Sequence, residues 1–200
     1  MPQAKRVRKA KIRRKTRETR IALEVNLDGS GKSKLKTQFG FLDHMLELIA
    51  AHGGFDLDIS ASGDIHVDAH HLMEDLGICL GQAFLNALGD KKGIARYGHM
   101  ILPMDEALAE VALDISGRPL LVYNVEIPQR RRWEFDLNLI EEFLRAFANA
   151  ARLTIHVRLI YGKNYHHCIE AIFKALARSL RQACTRQGPP RIPSTKGKLD

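Results

Sequence analysis

The chain has 200 residues, of which 45% are hydrophobic and 27% are charged, as is usual for a globular protein. This length suits one domain or two small fused ones, and no apolar run approaches the roughly 18 residues of a membrane span. The basic N-terminus lacks the apolar segment of a secretory signal. Three cysteines without a CxxC pattern predict reduced thiols in a cytoplasmic protein: Cys79, Cys168 and Cys184.

The formal net charge of +8 comes largely from the N-terminus. Between Lys5 and Arg20, ten Lys and Arg residues accompany one Glu. Residues 1–16 are therefore predicted to form a basic arm. Such an arm suits nucleic acid, a solvated strand edge or a field that attracts an anionic substrate. Aromatic residues are not interleaved with the basic ones, which argues against nucleic acid as a partner.

Residues 17–95 are predicted to form the first half of the protein. Alternating apolar residues predict strands at 20–28, at 55–60 and, as a short pairing segment, at 65–67. One helix is predicted to begin at Asp43, as its N-cap, and to stop at Gly53-Gly54. A second helix is predicted to run from about His71 to Leu88 and to end at Gly89.

Residues 96–187 repeat this plan, and residues 188–200 form a tail rich in Pro and Gly. The predicted elements are strands 106–115, 120–127 and 154–161 and helices 138–151 and 167–182. Each half therefore has the order strand, strand, helix, strand, helix. A duplicated unit of this kind predicts an α+β fold with helices on one face of each sheet.

The pattern His-His-x-x-Glu occurs twice, 96 positions apart, at the start of a predicted helix in each half. The copies are His70-His71-Leu72-Met73-Glu74 and His166-His167-Cys168-Ile169-Glu170. Imidazole and carboxylate are ligands that suit Mn, Fe, Zn or Ni. A single such pair is commonly two surface histidines, but the recurrence in the same helical context favours a duplicated metal site.

The spacing within the pattern also indicates how many ions are bound. Residues four apart share one face of a helix, so His70 and Glu74 are placed to bind one ion. His71 points about 100° away, which suggests two metals rather than one. The pattern is not that of the zinc proteases. Cys168 has Leu72 as its counterpart and is interpreted as a packing residue.

Alignment of the halves on these motifs pairs two further positions. His44 lies 26 residues before His70, and Glu142 lies 24 residues before His166. The repeat therefore predicts His44 and Glu142 as matched ligands, one imidazole and one carboxylate.

Several segments resemble the imidazoleglycerol-phosphate dehydratase family. They are FLDHMLELIAAHGGFDLDISASGDIHVDAHHLMEDLGICLGQA, GRPLLVYNVEIP, HHCIEAIFKALARSLRQA and the closing STKG. The resemblance covers nearly the whole chain from about Arg17. It implies a manganese-dependent lyase of histidine biosynthesis with two ferredoxin-like halves related to the ribosomal S5 domain. It also implies a homo-oligomer of twenty-four subunits with active sites between subunits.

The resemblance implies roles for individual residues. The residues that match the family's metal ligands are His44, His70, His71, Glu74, His166, His167 and Glu170. Glu142 stands where several members have a ligating histidine. Glu18 matches the family's reacting carboxylate, although on composition alone it reads equally as a solvated one. The predicted substrate-binding residues are His52, Arg96, Arg118, Lys174, Ser194 and Lys196. For Lys174 an ordinary surface pair with Glu170 is the alternative.

The implied reaction is loss of water from imidazole glycerol phosphate to give imidazole acetol phosphate. Two Mn²⁺ ions would hold the ring as imidazolate and act as Lewis acids and as a template, so that a diazafulvene-like intermediate forms. Glu18 is the predicted acid and base. The competing hypotheses are a nucleic-acid-binding protein, a metal-storage protein and a metal-dependent hydrolase.

Overall fold

A computed structural model describes residues 7–127, 136–187, 189 and 191–199. The first half contains a run of three strands, then a helix, a strand and a helix. These elements are β1 (Lys9–Lys15), β2 (Thr19–Asn26), β3 (Ser33–Lys36), α1 (Gly40–Gly53), β4 (Asp56–Gly63) and α2 (His70–Leu88).

The second half has the same order of elements. They are β5 (Tyr97–Met104), β6 (Ala107–Asp114), β7 (Leu120–Asn124), α3 (Asn138–Ala151), β8 (Thr154–Tyr161) and α4 (Tyr165–Cys184). The predicted duplication and the α+β class are therefore confirmed, with α3 and β8 at the predicted residues.

Each half forms one mixed four-stranded sheet. The strand orders are β1-β2-β4-β3 and β5-β6-β8-β7, and the pair β3–β4 is parallel, as is β7–β8. Alternation leaves one face of each sheet apolar: along β2, Ile21, Leu23 and Val25 are buried while Arg20 and Ala22 are exposed. Helix α2 covers β1 and β2, and α4 covers β5 and β6. Helices from the two halves then pack in pairs, α1 with α4 and α2 with α3.

Two glycines bring α2 and α3 unusually close together. A Cβ atom at Gly77 would lie 2.5 Å from the carbonyl oxygen of Phe143, and one at Gly81 would lie 2.6 Å from that of Phe147. No larger residue fits at either position without a shift of the backbone. Gly77 and Gly81 contact Phe143 and Phe147 in the same order along the chain, so the two helices run parallel and their N-terminal ends lie side by side.

The edge strands β1 and β3 were not predicted. Both strands contain few apolar residues: β1 has the sequence KAKIRRK and β3 has the sequence SKLK. The exposed lysines of these strands are Lys9, Lys11, Lys15, Lys34 and Lys36. Residues 9–15 of the segment interpreted as an arm therefore form a solvated edge of the first sheet, paired with β2 alone.

Other local predictions need correction. Strand β5 was missed because Gly98 and Pro103 interrupt its pattern. Helix α1 begins at Gly40, and the Asp43 side chain accepts the backbone N–H of Thr37 instead of capping the helix. Residues 65–67 form a turn rather than a pairing segment. The predicted end of α1 is confirmed, because Gly54 adopts the left-handed conformation with φ of 63°.

The helices of the described residues lack the features of membrane spans. None of them combines the length and the apolar character that crossing a membrane requires.

Candidate functional site

Helices α1 and α4 bring three predicted ligands together. His44, His166 and Glu170 each offer one ligand atom, and these atoms all lie within 4.8 Å of one another. Nε2 of His44 is 4.0 Å from one carboxylate oxygen of Glu170, and Nε2 of His166 is 3.5 Å from the other. Two imidazoles and a carboxylate fit a divalent transition metal. We call these three residues the α1/α4 cluster.

Local structure fixes the geometry of this cluster. The side chain of Asn164 accepts the backbone N–H of His166 and so caps α4. Glu170 lies one turn further along and is buried, at 8% exposure. The ring of His166 stacks on that of His44 at 5.7 Å and meets the edge of Phe41 at 5.6 Å. The imidazoles are therefore placed by packing before any ion binds.

Charged neighbours keep Glu170 in its ionised form. Burial raises the pKa of this carboxyl, but the ammonium of Lys174 and the imidazoles of His44 and His166 together bring its pKa below the ordinary value. Nζ of Lys174 lies 2.8 Å from Glu170 and 3.2 Å from Sδ of Met104, the last residue of β5. An ionised carboxylate is the form that coordinates a metal.

The repeat predicts an image of this cluster between α3 and α2, although among the described residues only the α1/α4 cluster brings three potential ligands within 4.8 Å of one another. We call this image the α3/α2 cluster, and its members are Glu142, His70 and Glu74. Nε2 of His70 lies 4.0 Å from Glu74. Glu142 makes no ion pair or hydrogen bond with any residue that the structure describes. Its role as a ligand stays a prediction, supported by the parallel packing that sets the N-terminal turns of α2 and α3 side by side.

The second histidine of each motif points to a different set of carboxylates. Nδ1 of His71 lies 3.1 Å from Asp64, and its Nε2 lies 3.9 Å from Glu18. Nδ1 of His167 lies 2.6 Å from Glu106. These hydrogen bonds raise the pKa of both histidines. The hydrogen bond with His167, together with hydrogen bonds from backbone N–H groups, lowers the pKa of Glu106 to about 2.

Sequence reasoning missed Asp64 and Glu106. Asp64 is seven residues before His71 and Glu106 is 61 before His167, so no shared spacing links either to its partner. The one local signal is that each is an acidic residue in a turn, after β4 and between β5 and β6 respectively.

A second group of predicted residues lines a cavity of about 460 Å³ at the other end of the sheet. The residues of this cationic cavity that were predicted are Arg96, Arg118, Ser194 and Lys196. Arg96 is held in place by a bidentate pair with Asp114, at 2.7 and 3.1 Å, and by the carbonyl of Pro193. The hydrogen bonds that the guanidinium donates to Asp114 raise its pKa. Such a cavity suits an anion.

Strand β5 separates the cationic cavity from the α1/α4 cluster within one chain. Arg96 precedes the first residue of β5, whereas Met104, its last, contacts Lys174. An eight-residue strand spans roughly 23 Å from first to last residue. Lys174 therefore lies with the ligand cluster and not with the other predicted phosphate contacts. His52, at the end of α1, also lies on that side: burial and then Lys174 lower its pKa.

The geometry defines a duplicated α+β protein with clustered imidazole and carboxylate side chains and a separate cationic cavity. The model of the imidazoleglycerol-phosphate dehydratase family matches residues 37–180. Imidazoleglycerol-phosphate dehydratase from Xanthobacter autotrophicus is 55% identical over 195 residues, covering 96% of this chain and 99% of that protein. The enzyme of that name from Oceanobacillus iheyensis is 52% identical over 194 residues, covering 96% and 100%.

Two solved structures have the same fold. The dehydratase from Staphylococcus aureus matches with a TM-score of 0.81 and 44% identity, over 90% of this chain and 99% of that one. The enzyme from Pyrococcus furiosus, solved in complex with (S)-C348, matches with a TM-score of 0.81 and 39% identity, over 94% and 100%. The chain therefore belongs to the imidazoleglycerol-phosphate dehydratase family, the hydro-lyases that serve histidine biosynthesis.

Proposed function

We propose that this chain converts imidazole glycerol phosphate to imidazole acetol phosphate and water, with Mn²⁺ as its metal. The observation that carries the proposal is the α1/α4 cluster, in which two imidazoles and an ionised carboxylate converge within 4.8 Å. The ligands of two ions are His44, His70, His71, Glu74, Glu142, His166, His167 and Glu170. Bound there, divalent ions supply Lewis acidity that stabilises the substrate's imidazole ring as its anion.

Glu18 is the group that moves the proton. It lies in the turn between β1 and β2, with its carboxylate 3.9 Å from Nε2 of His71 and about half exposed. The hydroxyl on the carbon beside the ring leaves with a proton as water. Glu18 takes the proton from the next carbon, whose own hydroxyl becomes the hydroxyl of an enol. The enol that remains takes up a proton on carbon and becomes the ketone. Glu18 can return its proton in one of these steps.

The cationic cavity holds the phosphate. The guanidinium of Arg96 is already oriented by Asp114, so little side-chain freedom is lost when an anion binds. Arg118 lies in the turn after β6 and is exposed. In the tail, the Ser194 hydroxyl accepts the backbone N–H of Lys196, which keeps these two residues together. A phosphate between them would receive charge-assisted hydrogen bonds from several directions.

The length of the substrate implies that two copies of the chain build one site. Three carbons join the ring to the phosphate, so the two ends lie within about 10 Å, the reach of roughly three extended residues. The α1/α4 cluster and the cationic cavity of one chain lie at opposite ends of β5, an eight-residue strand. We therefore infer a homo-oligomer in which the ligand cluster of one copy faces the cationic cavity of another. The resemblance to the family implies that this oligomer is a shell of twenty-four copies.

The enzyme is further proposed to work in the cytoplasm. All three cysteines are buried and none forms a disulfide. Reduced thiols are typical of that compartment. Its partners are then the phosphorylated substrate and other copies of itself.

Replacement of Glu18 by Gln tests the chemistry. The variant should keep its metal and its assembly but lose about 10²–10⁴-fold in turnover, because the amide cannot take a proton. Turnover is measured as formation of imidazole acetol phosphate, with wild-type protein treated with a chelator and then resupplied with Mn²⁺ as the control. Near-normal turnover in the variant would exclude Glu18, and full activity of the chelated wild type would refute the metal-dependent mechanism.

Co-expression of two inactive variants tests the composite site. Arg96→Ala disables the cationic cavity, and His166→Ala disables the ligand cluster. If each site joins two copies, an equal mixture should place intact halves together in about a quarter of the sites. Recovery of turnover near that fraction is expected. No recovery, despite mixed oligomers isolated with two different tags, would mean that each site lies within one chain.

A further inference from the structure

We propose that Asp64 and Glu106 are positioning residues: each accepts Nδ1–H of the second histidine in a His-His-x-x-Glu motif and thereby reserves Nε2 for the metal. The inference rests on the proposed metal-dependent function. It concerns His71 and His167, whose partners lie outside the repeated pattern.

The hydrogen bonds distinguish the second histidines from the first. Both carboxylate oxygens of Asp64 lie within 3.2 Å of Nδ1 of His71, and Glu106 lies 2.6 Å from Nδ1 of His167. Within the described part of the chain, His70 and His166 make no hydrogen bond to a carboxylate through Nδ1. Their Nε2 atoms face Glu74 and Glu170 of their own motifs.

The chemistry of imidazole explains what such a contact does. A neutral imidazole carries one proton, on either Nδ1 or Nε2, and only the other nitrogen has a lone pair for a metal. An ionised carboxylate beside Nδ1 accepts a hydrogen bond but cannot donate one, so it holds the proton on Nδ1. It also fixes the plane of the ring. A carboxylate on the outer nitrogen of a metal-binding histidine typically raises metal affinity about 10–100-fold.

The two carboxylates are not repeat images of one another. Asp64 follows β4 directly, whereas Glu106 lies in the turn between β5 and β6, where the first half has Glu18 before β2. Duplication alone would have placed both on equivalent turns. The two halves reach the same contact from different elements, which points to selection for the contact itself.

The surroundings of the two carboxylates differ in a way that makes a sharp test possible. Oε1 of Glu106 accepts the backbone N–H groups of Lys163 and Asn164, at 3.3 and 2.7 Å, while Oε2 faces His167. In Glu106→Gln the amide oxygen stays on those N–H groups, so the amide NH₂ faces Nδ1. The proton of His167 must then move to Nε2, which blocks the metal.

Among the described residues, the side chain of Asp64 accepts no hydrogen bond from a backbone N–H group. Among the residues that the structure describes, this side chain forms hydrogen bonds with His71 alone, through both oxygens. In Asp64→Asn the amide can rotate so that its oxygen still accepts Nδ1–H, although more weakly than a carboxylate. Asp64→Ala leaves no acceptor at all. We therefore expect Glu106→Gln and Asp64→Ala to be severe and Asp64→Asn to be mild.

The measurement is the affinity of full-length protein for Co²⁺, from its visible absorption during titration against a competing chelator. Glu106→Gln and Asp64→Ala should bind Co²⁺ about 10–100-fold more weakly than wild type, and Asp64→Asn by less than about tenfold. Glu47→Gln is the matched control: its carboxylate lies 3.9 Å from Nδ1 of His44, beyond hydrogen-bond distance, so affinity should stay near wild type.

Thermal unfolding of the metal-free variants separates positioning from a merely structural role. Unchanged Co²⁺ affinity in Asp64→Ala and Glu106→Gln, with or without a lower melting temperature, would overturn the inference. If Glu106→Gln does not fold, the contrast between Asp64→Ala and Asp64→Asn decides the question. Failure of the wild type to bind Co²⁺ would instead refute the proposed metal-dependent function.

Discussion

The α1/α4 cluster and the predicted α3/α2 cluster each join one helix from either half, at positions related by the repeat, but they differ in charge. In the α1/α4 cluster, Glu170 is the single carboxylate, and Lys174 neutralises it at 2.8 Å. The α3/α2 cluster has two carboxylates, and the position equivalent to Lys174, 96 residues earlier, is Ile78. If Glu142 is a ligand, duplication has kept the positions of the ligands while the charge around them has changed between the two clusters.

This difference has a chemical consequence. A cluster with two carboxylates and one imidazole offers more oxygen and more negative charge, which suits harder ions such as Mn²⁺. A cluster with two imidazoles and a neutralised carboxylate is closer to what Zn²⁺ or Fe²⁺ prefers. If Glu142 is a ligand, we therefore expect the α3/α2 cluster to select the proposed Mn²⁺ over Zn²⁺ more strongly than the α1/α4 cluster does.

Removal of the first histidine from each motif should have the largest effect. His166→Ala and His70→Ala each delete an imidazole from one cluster, and each should lower turnover by about a thousandfold, since a Lewis acid contributes several kcal/mol. Metal analysis should show the loss of one ion per chain in each variant. A His70→Ala enzyme with near-normal turnover would show that the α3/α2 cluster lies outside the active site.

Substitution at Glu142 should have an intermediate effect. Glu142→Ala should weaken binding of one ion by about 10–100-fold or more, as deletion of even an outer partner does. Glu142→His should restore binding and shift preference from Mn²⁺ towards Zn²⁺. Competition between the two ions, followed by metal analysis, measures both effects.

The neighbouring residue supplies a control for Glu142. Glu141 pairs with Arg145 on the same helix, so Glu141→Ala should leave metal content unchanged. Equal metal content in Glu142→Ala and Glu141→Ala would mean that Glu142 is not a ligand.

The pH dependence of stability should give the smallest effect. His167 and the backbone N–H of Asn164 lower the pKa of Glu106 from its ordinary value of 4.5 to about 2 in the folded protein. The ionised Glu106 therefore stabilises the fold at pH values above 4.5, and this stabilisation is lost as the pH falls towards 2. Metal-free Glu106→Ala should therefore melt a few degrees below wild type at pH 7 and close to it near pH 2. If the difference in melting temperature between the variant and the wild type persists at low pH, it arises from packing and not from the charge of Glu106.

Much of the fold and part of the site follow from local sequence patterns. The recurrence of His-His-x-x-Glu indicated both the duplication and the ligands, because helical spacing alone sets His70 beside Glu74 and His166 beside Glu170. The offset between halves also singled out His44, which the structure places in the α1/α4 cluster. The ligand role of Glu142, by contrast, stays a prediction.

What the sequence did not reveal depends on tertiary contacts. Strand β1 is stabilised by pairing with β2 rather than by burial of its own side chains. Because it is rich in lysine and arginine, it lacks the hydrophobic pattern from which a strand is predicted. Glu106 reaches His167 across 61 residues because α4 begins beside the turn between β5 and β6. The opposite placement of Arg96 and Lys174 likewise appears only once β5 is known to run between them.

The exposed lysines on β1 and β3 affect how readily the protein aggregates at high concentration. Among the described strands, β1 and β3 each pair on one side only, which leaves a row of backbone N–H and C=O groups without a strand partner. Such rows can template the strand addition seen in fibrils. Exposed ammonium groups along both margins repel a like neighbour and so discourage that addition. In the proposed homo-oligomer, these charges would favour association of the copies through their remaining surfaces over aggregation at the strand edges.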